Sequence, residues 1–280
     1  AKNINAIHLI KGKTYTIGVM LPFINLPYFS TIIEGIGNEA LAAGYHINLC
    51  QTNYDSIEEI RVLEMMKMKQ FDGMIICSRT SSWEQIEAFA KFAPIISCEK
   101  MKHPLISSVY VDHYEGFRLG TTYLLSKGHE KIGICLARKT SANSMEREKA
   151  FADTLRNEGK TLHPEWIFHQ CYTMQDGAQI LHRILNMKNR PTAIFTANDQ
   201  VAAGLLTEAK KQGIRVPEDL AILGFDNHEI SKALEISTIE HPGLAMGSHA
   251  FSLFHKQTQS EQIIGNAKEL SFHLIERDTV

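Results

Sequence analysis

Residues 16–35 read TIGVMLPFINLPYFSTIIEG, which combines a strand pattern with a helix pattern. The run from Thr16 to Leu21 is apolar without alternation and stops at Pro22, as is typical of a strand buried on both faces. Apolar residues then recur at helical spacing, namely Phe29, Ile32, Ile33, Ile36, Ala40 and Leu41. Gly44 supplies the left-handed residue that commonly ends a helix. The stretch therefore predicts one strand–helix unit of an α/β fold.

The same alternation continues along the chain. Strands are predicted at His46–Cys50, Gly73–Cys77, Pro94–Cys98, Ser108–Val111, Lys131–Leu136, Trp166–Cys171, Ala193–Ala197, Leu220–Phe225, Ser237–Glu240 and Phe272–Ile275. Helices are predicted after the cap pair Asp55-Ser56 and at Trp83–Phe92, Tyr114–Ser126, Ser144–Asn157, Gln175–Asn186, Asp199–Lys211 and Gly243–Lys256, with a mobile loop at Gln257–Asn266. So many strands would make one open sheet unusually wide. We therefore predict two doubly wound parallel-sheet subdomains, with a hinge near Val111-Asp112-His113.

Composition narrows the class of protein. The 280 residues are 44% hydrophobic and 21% charged, as in ordinary globular chains, and the formal net charge is −2. A near-neutral chain has no strong attraction of its own for nucleic acid. No apolar run reaches the roughly 20 residues that span a bilayer, and the first residues do not resemble a signal peptide. The five cysteines are scattered, which favours buried thiols and a cytoplasmic location.

Two short stretches match parts of catalytic or nucleotide-binding motifs, but both matches are incomplete. Gly12-Lys13-Thr14 resembles the end of a P-loop, but that motif needs a glycine where Ile7 stands. Ser97-Cys98-Glu99-Lys100 matches S-x-x-K, yet its S-D-N and K-T-G partners are missing. The histidines form no zinc-binding pattern. We therefore predict no enzyme activity, no cofactor and no metal.

Polar residues recur where the predicted strands end. They are Phe23, Asn25 and Tyr28, then Gln51, Asn53 and Asp55, then Ser78, Arg79 and Glu99, and finally Asn198, Asp199, Asp226 and Asn227. Ligands of open parallel sheets bind at the carboxyl ends of the strands. Carboxylates, amides and arginine suit adjacent sugar hydroxyls, although single residues such as Asp55 and Asp199 also look like helix caps. The pattern predicts a ligand cleft.

Several separate stretches resemble the regulatory core of the lactose-repressor and galactose-repressor (LacI/GalR) transcription factors. They are Thr16–Gly35, Ser107–Gly133, Thr192–Ala203, Val216–Asn227 and the terminal Leu274–Asp278. The resemblance covers the chain from about Asn3 to Val280. It implies a periplasmic-binding-protein-like fold, in which a small effector lies in the cleft between two subdomains.

The resemblance also implies domain boundaries. The N-terminal subdomain is expected at residues 13–111 plus 241–269, and the C-terminal subdomain at 112–240 plus 270–280. Residues 1–12 match the family's hinge segment, whose leucine, here Leu9, enters the DNA minor groove. Ile7 and His8 replace the usual polar or basic pair. The family's helix-turn-helix is not found in this sequence, so we expect no tight operator binding by this chain alone.

Effector contacts carry over from the family position by position. Arg147 matches the arginine that grips hydroxyls or carboxylates, and Asn198 and Asp226 match the residues that bind sugar hydroxyls. Tyr172 stands where an aromatic ring is common, and Glu99 where aspartate is common. The other expected contacts are Phe23, Tyr28, Asn53, Asp55, Ser78 and Arg79.

These observations predict the effector-binding and dimerisation core of a sugar-responsive repressor. Effector binding is expected to favour one orientation of the N-terminal subdomains and so change DNA affinity in a homodimer. The alternative is a periplasmic sugar-binding protein of a transporter. Three acids, Glu99, Asp226 and Asp55, against two arginines favour a neutral sugar, whereas a phosphorylated sugar would need a free arginine.

Overall fold

The computed structural model describes residues 13–260 and 262–280. Its strands are β1 Thr16–Leu21, β2 His46–Gln51, β3 Met74–Ile76, β4 Ile95–Ser97, β5 Ile106–Val111, β6 Ile132–Cys135, β7 Ile167–Phe168, β8 Ala193–Phe195, β9 Ala221–Asp226, β10 Thr238–Glu240, β11 Ala267–Leu270 and β12 His273–Ile275. Its α-helices are α1 Pro27–Ala42, α2 Ser56–Lys67, α3 Trp83–Glu87, α4 His113–Ser126, α5 Ala142–Asn157, α6 Met174–Leu185, α7 Asp199–Lys211, α8 Glu229–Ala233 and α9 Gly243–Thr258. A 3₁₀ turn covers Pro164–Trp166. Leu9 and the predicted hinge segment lie outside the described residues.

The chain folds as two compact units, each with a six-stranded sheet. Unit 1 comprises the described residues up to Val111 plus Pro242–Leu270, and unit 2 comprises Asp112–His241 plus Ser271–Val280. The strand orders are β2-β1-β3-β4-β5-β11 and β7-β6-β8-β9-β10-β12. Neighbouring strands pair in parallel except β12, which runs antiparallel to β10. The two sheets confirm the predicted fold class of two doubly wound halves.

Unit 1 is held by close packing of α1 on α9 against the sheet. A Cβ at Gly35 would lie 2.1 Å from the Leu244 carbonyl oxygen, and a Cβ at Gly247 would lie 2.1 Å from that of Ile32. Only glycine permits two helices to approach this closely. The helix pair covers the apolar strands, and β1 is fully buried from Ile17 to Leu21.

Unit 2 carries a hydrophobic core on each face of its sheet. Phe195 of β8 joins the core that α4 and α5 cover, whereas its neighbour Ile194 joins the core under α6 and α7. Successive strand residues point to opposite faces, so an unbroken apolar run fills both layers. This explains why the strands read as continuous apolar runs in the sequence.

Several element predictions need correction. The helix predicted at Trp83–Phe92 stops at Glu87, because the amides of Phe89 and Ala90 bond to carbonyls three residues back. The strand predicted at Trp166–Cys171 is limited to Ile167–Phe168, since Trp166 lies in the 3₁₀ turn and Gln170 has φ +64°.

The predicted mobile loop at Gln257–Asn266 begins too early. Helix α9 runs to Thr258, and the buried amide of Gln257 donates to Ser107 Oγ and to the Ile264 carbonyl. Strand β11 has a largely exposed pattern, so its apolar signal was too weak to predict it.

The unit boundaries differ from the predicted ones by one residue at two crossovers. His241 belongs to unit 2, where its backbone N–H donates to the Asp226 carbonyl oxygen. Leu270 belongs to unit 1, where it pairs with Val111 in the sheet.

Candidate functional site

The strand ends of unit 1 carry a chain of hydrogen bonds centred on Ser78. The Ser78 hydroxyl donates to Glu99 Oε1 at 3.1 Å and lies 3.3 Å from the Tyr54 hydroxyl. The second carboxylate oxygen of Glu99 lies 3.3 Å from Arg79 Nε. These residues follow β2, β3 and β4, whose carboxyl ends meet at one edge because the strands are parallel. The structure thus brings together three predicted site residues, Ser78, Arg79 and Glu99.

Arg79 is neutralised and held on both sides. Its guanidinium carbon lies 3.9 Å from the centre of the Trp83 ring, and Nη1 donates to the Ser81 carbonyl. The side chains of Arg79 and Glu99 are only 17% and 16% exposed. Burial lowers the pKa of Arg79, and Glu99 opposes that shift. A stacked guanidinium paired with a partly buried acid stabilises the charged form of that acid, and the pair has little net positive charge.

The loop that carries Ser78 and Arg79 is fixed by a buried acid on α2. Glu59 is fully buried, and its two carboxylate oxygens accept the backbone N–H groups of Thr80 at 2.8 Å and Ser81 at 2.7 Å. A charged acceptor makes such bonds stronger than neutral ones. Glu59 therefore sets the path of the chain after β3.

Of the other predicted residues of unit 1, Phe23 lies in the Ser78 cluster, whereas Tyr28, Asn53 and Asp55 have other contacts. Phe23 joins the cluster, because its ring packs edge-on against Tyr54 with centroids 5.6 Å apart. Tyr28 lies on the first turn of α1 with its ring edge-on to Phe29.

Asn53 and Asp55 have local roles. The exposed Asn53 has φ +53° and accepts from Gln51 Nε2 at 2.9 Å. The exposed Asp55 caps α2 by accepting the Ile57 N–H at 2.8 Å, which confirms the cap predicted from sequence.

In unit 2, α5 aims Arg147 at the sheet edge. Arg147 is 9% exposed and lies on the buried face of this helix with Ala150 and Phe151. Nη1 donates to the Ala197 carbonyl at 3.1 Å, and the guanidinium carbon lies 4.2 Å from the centre of the Phe225 ring. The charge is thus held at the ends of β8 and β9.

Asp226 is the most constrained residue at this edge. It ends β9 with φ +105°, a region that residues other than glycine rarely adopt, and is 6% exposed. Its Oδ2 lies 3.4 Å from His228 Nε2. Its Oδ1 is buried and has no hydrogen-bond partner among the residues that the structure describes. A buried acceptor without a donor costs about 1–3 kcal/mol.

The turn after Asp226 is held from the closing segment of the chain. Asn227 has φ +59°, and its Oδ1 accepts from Arg277 Nη2 at 2.6 Å. Its amide nitrogen donates to Glu240 Oε1 at 2.9 Å. Arg277 also donates to the Ile236 carbonyl. These bonds hold two successive residues with positive φ in place.

A second acid, Asp199, is buried beside Asp226. Its oxygens accept from the Thr238 hydroxyl at 2.7 Å and from the His228 N–H at 2.7 Å. Burial, together with the charge of Asp226, raises the pKa of Asp199 to about 6. Burial alone would lower the pKa of His228, but Asp226 and Asp199 outweigh it and raise that pKa.

Asn198 and Tyr172 are linked to each other. Asn198 Nδ2 donates to the Tyr172 carbonyl at 3.3 Å, while its Oδ1 caps α7 by accepting the Val201 N–H. The cap is thus Asn198, which corrects the prediction that Asp199 has that role. The Tyr172 hydroxyl donates to Gln170 Oε1 at 3.1 Å.

Sequence reasoning missed several residues of both clusters. Tyr54 lies between the two residues predicted after β2, so its position alone could have indicated it. Glu59 is an acid on a helical face with Val62, Leu63 and Met66, and that mismatch was a usable signal. For Trp83, His113 and His228 no local pattern marks the contacts. No group of three metal-binding side chains occurs within residues 13–260 and 262–280.

A family model and the similar proteins of known sequence all point to transcriptional regulators. A family model described as periplasmic binding proteins and the sugar binding domain of the LacI family matches residues 14–264. The HTH-type transcriptional regulator YkvZ of Bacillus subtilis is 44% identical over 279 residues, covering all of this chain and 86% of that protein. The NTD biosynthesis operon regulator NtdR of the same organism is 37% identical, covering 86% and 74%.

A solved structure agrees with the sequence relatives. The LacI family transcriptional regulator of Enterococcus faecium, solved with bound ribose, is 26% identical with a TM-score of 0.83 and covers 95% of this chain and 98% of that one. The chain therefore belongs to the LacI family, which confirms the resemblance predicted from sequence. Because these relatives are transcriptional regulators, the comparison supports the predicted repressor core over the alternative, a sugar-binding protein of a transporter.

Proposed function

We propose that this chain binds a neutral sugar as the effector of a transcriptional repressor, with Asp226 as a central contact. The observation that carries this proposal is the buried Oδ1 of Asp226, which lacks a donor among the described residues. A sugar hydroxyl is a neutral donor that would satisfy this oxygen without adding charge. The ribose bound to the E. faecium regulator supports a sugar as the ligand.

The pairing of Arg79 with Glu99 favours a neutral ligand over a phosphorylated one. Arg79 is paired with Glu99 and stacked on Trp83, so recruiting it to a phosphate would break both contacts. Asp199 and Asp226 add negative charge near the β9 end. An anionic group would have to approach these acids, whereas hydroxyls can donate to them.

Each cluster is proposed to contact the effector, and this step rests on the family. Phe23 and Tyr54 supply aromatic faces in unit 1, and Asp226, Asn198 and Tyr172 supply polar groups in unit 2. Substitutions in each unit test the expectation separately.

The proposed mechanism is linkage between effector and DNA. An effector that binds one conformation more tightly shifts the population towards it, and the shift cannot exceed the difference in binding free energy. Moving a population from 1:99 to 99:1 takes about 5.5 kcal/mol. We place the chain in a homodimer in the cytoplasm, with operator DNA as the partner of the whole regulator and no catalysis. None of its described helices is both long and apolar enough to cross a bilayer.

The test is calorimetric titration with D-ribose, D-glucose and sucrose. Asp226→Asn should weaken binding about 10- to 150-fold, since a bond to a charged group contributes about 1.5–3 kcal/mol. Glu229→Gln is the matched control, because Glu229 is three residues away, carries the same charge and is 90% exposed. Equal affinity in wild type and Asp226→Asn would remove Asp226 from the site.

A paired titration tests the ligand class. The sugar that binds is compared with its phosphate ester in wild type and in Arg79→Ala. We expect weaker binding of the ester. Tighter binding of the ester that is lost in Arg79→Ala would show that Arg79 leaves Glu99 to hold a phosphate.

A further inference from the structure

Three aromatic rings of unit 2 meet where the chain passes between the units. His113, His241 and Phe272 each lie within two residues of a unit boundary. The two imidazoles stack at a centroid distance of 6.4 Å with 19° between their planes. Phe272 lies 6.0 Å from His113 and 5.8 Å from His241. The three crossovers are thus tied together on the unit 2 side by ring packing.

His113 also contacts the guanidinium of Arg147. Arg147 Nη2 lies 3.2 Å from His113 Nδ1, and Nε donates to the same atom at 3.4 Å. Guanidinium has only donors and stays charged at any ordinary pH, so Nδ1 must be the acceptor. The imidazole proton must then be on Nε2, and the ring is neutral. The arginine therefore fixes both the tautomer and the charge of His113.

The contacts of Arg147 hold its guanidinium from different sides. Phe225 packs against the face of the guanidinium, and the Ala197 carbonyl accepts from Nη1. A planar group held by one face and one edge can still turn within its plane. The bonds from Nε and Nη2 to His113 hold the opposite edge and oppose that rotation.

We propose that His113 is a positioning residue whose neutral imidazole orients Arg147 for effector binding. The expected effect on effector affinity rests on the proposed function, in which Arg147 contacts the effector. His113 itself need not touch the sugar. It links the conformation at the crossovers to the geometry of the effector site.

Acid should disrupt this arrangement. A protonated His113 carries a donor at Nδ1, so it would repel Arg147 instead of accepting from it. The groups that face His113 are Arg147 from α5 and His241 from the end of β10, while Asp112 caps its own helix. Burial lowers the pKa of His113 well below its usual range, and Arg147 and His241 lower it further. Asp226 and His228 act on this pair through His241.

Two substitutions separate hydrogen bonding from packing. His113→Phe keeps a ring against Phe272 and His241 but removes the acceptor. His113→Asn loses the ring but places an amide oxygen near the position of Nδ1, and it does not titrate. A residue that only fills space would tolerate the phenylalanine better, whereas a positioning residue would tolerate the asparagine better.

The first measurement needs no effector. In nitrogen-15 NMR of the wild-type chain, we expect an Nε2–H tautomer for His113 and an exchange-protected Nε–H for Arg147, assigned by its loss in Arg147→Lys. Protection should persist in His113→Asn, disappear in His113→Phe and fall in wild type on acidification. A protonated Nδ1 at neutral pH, or full protection in His113→Phe, would overturn the proposal.

The second measurement uses whichever of D-ribose, D-glucose or sucrose the wild type binds. His113→Phe should weaken binding about 10- to 150-fold and His113→Asn by less than about threefold, in line with loss or retention of one charged hydrogen bond. The affinity of His113→Asn should also fall less in acid than that of wild type. Unchanged affinity in His113→Phe, with binding still lost in Arg147→Ala, would refute the role of His113 alone. Unchanged affinity in Arg147→Ala would instead refute the proposed site.

Discussion

At the scale of single residues, Asp226 combines features that are costly in a fold without ligand. Its φ of +105° is sterically unfavourable, and its Oδ1 is buried without a donor in the described part of the chain. Burial raises the pKa of nearby Asp199, and the charge of Asp226 raises it further. Strain of this kind persists where the surroundings enforce it, and it is common at functional sites. Here the enforcing contacts come from Arg277 and Glu240 through Asn227.

Asp226→Asn should therefore not lower the stability of the sugar-free chain at pH 7. The substitution removes a buried negative charge beside Asp199 and should bring the pKa of Asp199 down from about 6. Many residues that bind ligands reduce stability in the same way. Thermal unfolding without sugar should give an equal or higher midpoint than wild type. A midpoint several degrees lower would mean that Asp226 has a structural role.

His241 gives a pH dependence whose sign can be derived. Burial lowers its pKa from 6.5 to about 4; Asp226 opposes this shift, whereas Arg147 and His228 act in the same direction as burial. The unfolded chain therefore binds a proton between pH 6.5 and 4 that the folded chain does not, so acid reduces stability in that range. The corresponding loss is up to about 3 kcal/mol.

His241→Gln should remove this part of the acid sensitivity. The difference in unfolding free energy between variant and wild type should shift in favour of the variant as the pH falls from 7 to 4. Denaturant unfolding at several pH values measures this shift. A difference that is constant with pH would show that His241 titrates near its ordinary pKa.

At the scale of elements, helix α2 holds in place the loop that carries Ser78 and Arg79. Its first turn is capped by Asp55, and Glu59, one turn later, bonds to the loop that leads from β3 to α3. The helix thereby positions Ser78 and Arg79 without contributing a residue predicted to bind ligand.

Glu59→Gln should destabilise this loop. The amide keeps one acceptor and turns a donor towards the second N–H, which costs about 1–3 kcal/mol. We expect faster hydrogen exchange at the amides of Thr80 and Ser81 and a lower free energy of unfolding. Glu58→Gln, a change at a more exposed neighbour, is the control. Equal exchange rates in both variants would contradict the proposed role of Glu59.

Asp55 was predicted as an effector contact, and the structure gives it a capping bond. Asp55→Ala should cost about 1 kcal/mol of stability, because it leaves the N-terminal amides of α2 unsatisfied, and Asp55→Ser should recover most of it. If Asp55 only caps the helix, neither variant changes the affinity for sugar. Loss of sugar binding in the stable Asp55→Ser variant would support the predicted contact.

At the scale of the whole molecule, we predict the oligomeric state from exposed apolar side chains of unit 1. Leu41, Ile57 and Met68, all in unit 1, are 80%, 75% and 68% exposed. Exposed apolar side chains favour association when they come together in a patch. We expect a homodimer, that is, light scattering that reports twice the 31.5 kDa of one chain at tens of micromolar.

If Leu41 lies in the dimer interface, Leu41→Lys should weaken the dimer, since the substitution would bury a charge there. Leu162→Lys in unit 2, where the leucine is 37% exposed, is the control and should leave the mass unchanged. A monomeric wild-type chain at these concentrations would contradict the prediction.

The sequence by itself determined most of the elements, the fold class and the family. Apolar runs such as Thr16–Leu21, the cap at Asp55 and the ending of α1 by Gly44 are local signals, because backbone geometry repeats every two or 3.6 residues. Asp226 and Arg147 were predicted as effector contacts because the residues around them resemble motifs of the family, and they stay predictions. Weakly patterned elements such as β11 and α8 gave no comparable signal.

Only the tertiary structure decided which of these residues touch. Tyr54 meets Ser78 across 24 positions, Glu59 meets Ser81 across 22, and His113 meets Arg147 across 34. Such contacts depend on sheet register and helix packing, which the core of each unit determines. They produce no periodic pattern in the sequence. For the same reason the neutral state of His113 could not be predicted, since it follows from a guanidinium that packing alone brings to its Nδ1.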